Sequence, residues 1–206
     1  MKVLGIVCSP RRGGNTEILV QEALASARQN GAEEIELLTL AGKDIAPCDG
    51  CDICQETGKC VINDDMQVLY SKMLQADGIV FGSPVYFWGV TAQAKALIDR
   101  TYCLASGHRA LLSKDRRSGE ARQKGLRHKA AGIIVVARRA GGTSAFTQLG
   151  DFIRIHRMVD AGGAIAYGDE KGGVRRDEQG LREARWTGRA VVRAIRRTQG
   201  AEKATA

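Results

Sequence analysis

The stretch Val3-Leu4-Gly5-Ile6-Val7-Cys8-Ser9-Pro10-Arg11-Arg12-Gly13-Gly14-Asn15-Thr16 decides the fold. Its first five residues are continuously apolar, as a parallel strand covered on both faces must be. A polar, glycine-bearing turn follows and opens onto Leu19, Val20, Ala23, Leu24 and Ala27 at helical spacing. Asn15 is placed to cap that helix and Gly31 to stop it. A strand, a glycine turn and a helix in that order make the first half of a βαβ unit.

The same grammar repeats outward. Residues 78–82 and 131–137 are further short apolar runs, and residues 34–39 form a strand carrying Glu34 and Glu36, acids that an edge position tolerates better than a central one. Amphipathic patterns over 66–74, 91–104, 146–158 and 177–197 supply helices between and after them. A fifth strand belongs near Met158-Val159, although Asp160 and the Gly162-Gly163 pair weaken its pattern. Alternating strands and helices predict a doubly wound α/β fold with a parallel five-stranded sheet.

At 206 residues, 44% of them apolar and 26% charged, the chain suits one domain over 1–200 with a short flexible tail at 201–206. Residues 106–129 are strongly basic, lack an apolar stripe and read as a solvated insertion. The formal charge of +8 favours an acidic carrier, a phosphorylated ligand or nucleic acid without choosing among them. No run approaches the roughly 20 apolar residues that span a bilayer. The start reads as a buried strand instead of a signal peptide, so the expected compartment is the cytoplasm, where clustered cysteines bind metal or do redox chemistry.

Three loops after successive strands carry the binding signals. The turn holding Ser9, Arg11, Asn15 and Thr16 offers hydroxyls, amides, a helix N-terminus and a charge to one monophosphate. It is neither the dinucleotide fingerprint nor a P-loop, since no Gly-Lys-Ser/Thr follows. Ser83-Pro84-Val85-Tyr86-Phe87-Trp88 sets three aromatics beside glycines, which suits a flat ring, and Arg138 with Gly141 and Gly142 offers guanidinium and amides to a ring bearing carbonyls. His108, His128 and His156 are scattered, and none has the setting of a catalytic base.

Cys48, Cys51, Cys54 and Cys60 form a C-x2-C-x2-C-x5-C run within residues 47–62. Three closely spaced thiols and a fourth returned by Gly58 suit a single iron-sulfur cluster, with structural zinc and a redox disulfide as rivals. Cys8 and Cys103 lie outside the run and read as small packing residues.

Through Ser9-Pro10-Arg11 with Gly14-Asn15-Thr16, and through Ser83-Pro84-Val85-Tyr86, the sequence resembles the flavodoxin-like NADPH-dependent FMN reductase superfamily. The resemblance implies FMN, with Ser9, Arg11, Asn15 and Thr16 around the ribityl phosphate and residues 83–88 around the isoalloxazine. Arg138, Gly141 and Gly142 would close its other edge, although Arg138-Arg139 departs from the glycine-rich form of that loop. The cysteine run upstream of Asp64-Asp65-Met66 resembles that of the iron-sulfur flavoproteins, which carry a [4Fe-4S] cluster beside FMN and assemble as dimers or tetramers. An oxidoreductase is implied, with ferredoxin or NAD(P)H as electron partner. A plain NAD(P)H-dependent flavin or quinone reductase, a small-molecule dehydrogenase and a zinc-stabilised nucleic-acid module are the competing readings.

Overall fold

The computed structural model describes residues 1–106 and 125–204. Five parallel strands, β1 (Lys2–Val7), β2 (Glu34–Thr39), β3 (Gly78–Pro84), β4 (Ala130–Ala137) and β5 (Val159–Tyr167), form one sheet in the order β2-β1-β3-β4-β5. This is the flavodoxin-like order, in which β1 and β3 flank the point where the winding reverses. Ligands of such sheets bind outside the carboxyl ends of the strands at that point.

Side chains alternate across the sheet and divide the core in two. One face of β1, β3 and β4 presents Val3, Val7, Val80 and Ile134 to α1 (Asn15–Gln29) and α7 (Glu178–Ala204). The other presents Leu4, Ile6, Phe81 and Ile133 to α3 (Met66–Gln75), α4 (Ala92–Arg100) and α6 (Gly142–Ile155). Helices α1 and α7 cross closely because Gly188 has no side chain, and a Cβ there would stand 1.9 Å from Ala23 O. Strand β2 lies at the edge as expected. Its acids are neutralised by Lys2 on Glu34 at 2.7 Å and by Lys72 on Glu36 at 2.9 Å.

The expected fifth strand is present, and two other expectations need correction. The fifth strand is nine residues long, and the residues that obscured it form a bulge: Asp160 accepts from Gly162 N at 2.8 Å, and Gly162 has φ +84°. The register shift between Ala131 and Ile133 falls opposite it. The helix expected over 91–104 breaks at Thr101, whose hydroxyl donates to Ile98 O at 2.6 Å, and resumes as α5 (Tyr102–Ser106). The last helix runs to Ala204, so it includes most of the expected tail.

Most of the expected basic insertion, residues 107–124, lies outside the described part, and at its described end Arg127 and His128 are exposed while the residues beside them pack. Leu126 is buried, and Lys129 Nζ donates to Leu74 O and Ala76 O at 2.8 and 2.5 Å, closing the end of α3. No helix among the described residues is long and apolar enough to cross a membrane.

Candidate functional site

The loops after β1, β3 and β4 and the cysteine loop after β2 all leave the carboxyl edge of the sheet. In the first, Ser9 Oγ accepts from Arg11 N at 3.1 Å, and Arg12 Nη2 donates to Ala41 O at 2.9 Å beside the end of β2. Helix α1 begins after Gly14 with no side-chain cap, which leaves first-turn amides and the positive end of the helix for an anion. Ser9 and Thr16 are buried and Arg11 is exposed. That arrangement fits a phosphate group.

Asn15 departs from its expected part. It is the first helical residue, not the cap, and its side chain turns to the loop after β5. Its amide donates to Glu170 O at 2.8 Å, and its carbonyl accepts from Gly172 N at 2.8 Å and Val174 N at 3.4 Å. Those bonds occupy the side chain and leave the backbone amide as its offering to an anion.

Near the end of β3, Ser83 is fully buried and serves the frame, its hydroxyl donating to Pro84 O and accepting from Thr91 N. The chain then makes a two-residue reversal, with Tyr86 N donating to Gly89 O at 2.9 Å and Gly89 N to Tyr86 O at 3.1 Å. Phe87 and Trp88 form its corners at φ +43° and +67°. Turns of that hand favour Asn-Gly, so two aromatics there carry strain of about 1 kcal/mol or more each. Phe87 is nonetheless 98% exposed and Trp88 64%. Strained, solvent-facing rings at a ligand-binding edge suit a flat partner.

Gly141 opens α6 with φ +83°, and a Cβ there would come within 2.8 Å of Val85 and 3.1 Å of the Trp88 backbone. The third loop thus abuts the aromatic one because this residue is glycine. Arg138 is paired with Asp169, at an exposed position on the same edge. His156 cannot serve as a base at the edge, since it is buried, burial lowers its pKa to about 4, and its Nε2 lies 3.0 Å from Thr101 Oγ1. Cys8 is an inert packing residue, its thiol pushed up to about 12 by burial.

Cys48, Cys51, Cys54 and Cys60, none of them in a disulfide, line one cavity of about 110 Å³, along with Arg100 and Cys103. Among the described residues no three His, Cys, Asp or Glu side chains are gathered as they would be around a single metal ion. Four thiols around a shared cavity are donors of the kind that hold an iron-sulfur cluster or zinc. Positive φ at Gly50, Asp52 and Gly58 bends the loop round that cavity. Cys103, expected only to pack, also walls it, with its thiol 3.4 Å from Arg100 O.

Two residues that the sequence reading passed over hold this loop. Arg100 and Asp64 form a buried bidentate pair, at 2.7 Å between Nη1 and Oδ2 and 3.0 Å between Nη2 and Oδ1. Asp64 also accepts from Ala46 N and Met66 N at 2.9 and 3.0 Å, so one carboxylate joins the start of the cysteine loop to the start of α3. Burial pushes this carboxyl up, but Arg100 and the two amides outweigh it and leave its pKa below the ordinary value. The signal was there: Arg100 shares the inward stripe of Ala94 and Leu97, and a charge on an apolar stripe requires a partner.

The family model of the NADPH-dependent FMN reductases matches residues 1–177. An iron-sulfur flavoprotein of Methanocaldococcus jannaschii is 38% identical over 206 residues, which cover 95% of this chain and 98% of that one. Another iron-sulfur flavoprotein, of Methanosarcina thermophila, is 35% identical over 169 residues, 82% of this chain and 81% of its own. Among solved structures, a flavone reductase superposes with a TM-score of 0.73 at 22% identity, covering 98% of this chain and 65% of that longer chain.

Proposed function

Because the chain belongs to the NADPH-dependent FMN reductase family and is an FMN-dependent oxidoreductase, we propose that it couples two-electron flavin chemistry to one-electron transfer through a [4Fe-4S] cluster on Cys48, Cys51, Cys54 and Cys60. The observation that carries this reading is the single cavity shared by all four thiols. FMN supplies hydride exchange when bound, and the cluster supplies single-electron exchange.

The protein's own residues position these groups. Ser9, Arg11, Thr16 and the backbone amide of Asn15 hold the phosphate. The backbone of Ser83, with Pro84, Val85, Tyr86, Phe87 and Trp88, meets the ring, and the Gly141-Gly142 amides meet its other edge. Arg138, near that edge and paired with Asp169, contributes positive charge that favours a reduced, anionic flavin. Helix α4 spans the two regions. Its first turn is capped by Thr91, whose hydroxyl also donates to Cys8 O at 2.6 Å beside the phosphate loop, and its last residue is Arg100 in the cysteine cavity. Nine residues of helix cover roughly 13 Å.

The net charge of +8 favours docking of an acidic one-electron carrier such as ferredoxin, or of the 2′-phosphate of NADPH. The cluster loop is exposed at Cys48 and Cys51, so we also propose a homodimer or homotetramer that covers it, working in the cytoplasm; light scattering of the cluster-loaded protein tests the assembly.

Replacing Cys54 by Ala tests the main reading. The variant should lose or convert the cluster, seen as iron and sulfide per chain, while retaining FMN, because the flavin loops use other residues. Transfer to a one-electron carrier should collapse in anaerobic stopped flow, and hydride transfer from NAD(P)H should persist. If the variant exchanges electrons with the carrier as fast as the parent, the four cysteines have a structural role and the plain reductase reading replaces this one.

A further inference from the structure

Arg100 does more than close a loop. Its side chain is 0% exposed, and the guanidinium uses all five of its N–H donors. Nη1 and Nη2 each reach one oxygen of Asp64. Nη1 also donates to Ala46 O at 2.8 Å and Nη2 to Ile62 O at 3.1 Å, which fastens the two ends of the cysteine loop. The fifth donor, Nε, points at Cys60 Sγ from 3.2 Å. The two Nη groups alone accomplish the fastening, so the Nε–H bond to sulfur is not needed for it.

We propose that Arg100 is a positioning residue that orients Cys60 as a cluster ligand and raises the cluster's reduction potential. The inference rests on the electron-transfer reading above. A cluster gains one negative charge on reduction, and a hydrogen bond to a ligand sulfur stabilises the more negative state. Asp64 neutralises the Nη side of the guanidinium. That leaves the Nε–H dipole directed at Cys60, on a side chain with no solvent exposure to screen it.

The test compares the anaerobically reconstituted parent with Arg100→Lys and with the neutral pair Arg100→Met/Asp64→Leu, which removes the buried charges together and so avoids stranding one of them. Lysine keeps the charge and the pairing to Asp64 but lacks the planar fork that reaches Cys60. Iron and sulfide content reports the cluster, retained FMN absorbance reports the fold, and a dithionite titration followed by electron paramagnetic resonance reads the midpoint potential. The lysine variant should titrate lower by about tenfold in the one-electron equilibrium, about 59 mV, and the neutral pair by at least as much. Loss of the cluster from the lysine variant with FMN retained also supports the positioning role. If both variants hold the cluster and titrate within twofold of the parent, the inference is overturned while the electron-transfer reading stands. A parent that takes up neither iron nor sulfide overturns that reading, and this one with it.

Discussion

The two ends of α4 support two loops by opposite means. At the flavin end the loops after β1, β3 and β4 are the strands' own continuations, held by many short bonds such as Ser9 Oγ to Arg11 N, Tyr86 to Gly89 and Thr91 to Cys8. At the cysteine end a loop with one five-residue helix, α2 (Ile53–Thr57), is gathered around one buried ion pair between Asp64 and Arg100, with Gln67 Nε2 adding exposed bonds to Cys60 O and Ile62 O at 3.3 and 2.7 Å. Redundant local bonds make the first region tolerant of single losses. Concentration of the buried bonds on one pair makes the second most vulnerable at that point.

The largest expected effect breaks that pair. Asp64→Ala strands a fully buried guanidinium and should lower stability by about 3–5 kcal/mol in denaturant unfolding. A loss under about 1 kcal/mol would show that the cysteine end is as redundant as the flavin end. The pair also has a pH signature. Asp64 has a folded pKa below its unfolded value near 3.8, so its contribution is complete above about pH 4 and fades as pH falls further. The acid limb of the parent's stability profile should accordingly be steeper than that of Asp64→Ala.

On the proposed flavin side, substitutions at Arg11 and Asn15 should separate binding from framing. Arg11→Ala removes a charge from an exposed loop and should weaken FMN affinity by about 10- to 100-fold in a fluorescence titration, with the unfolding midpoint unchanged. Asn15→Ala should do the reverse. It frees the loop at residues 170–174 from α1, costs about 1 kcal/mol of stability, and changes FMN affinity only a few-fold. If Asn15→Ala matches Arg11→Ala in affinity, its side chain reorients to the phosphate on binding.

The smallest effect concerns Trp88. With φ +67° at an exposed corner, Trp88→Gly should stabilise the flavin-free protein by about 1 kcal/mol in thermal or denaturant unfolding while weakening FMN retention. A flavin-free protein destabilised by this change would mean that the indole packs on its own chain and is not held ready for a ligand.

Much of this was legible in residues that act on near neighbours. The apolar runs of β1, β3 and β4, the acids that put β2 at the edge and the glycine turn before α1 all express sheet and helix periodicity over a few positions. So does the aromatic run after β3, whose exposure follows from its place at a strand end. The C-x2-C-x2-C-x5-C spacing likewise draws its four thiols to one cavity within a short loop.

The tertiary structure alone decided what depends on distant segments meeting. Asp160 and Gly162 obscure a strand until β4 lies beside them and turns the extra residue into a bulge. Asn15 looks like a helix cap until the loop 155 residues later offers Glu170 O to its amide. Arg100 is one arginine among many until α4 packs it against Asp64 and Cys60, 36 and 40 residues back. Local periodicity is set by backbone geometry over one or two turns. A buried polar side chain is placed by whichever remote group satisfies it, and only the folded chain brings that group within reach.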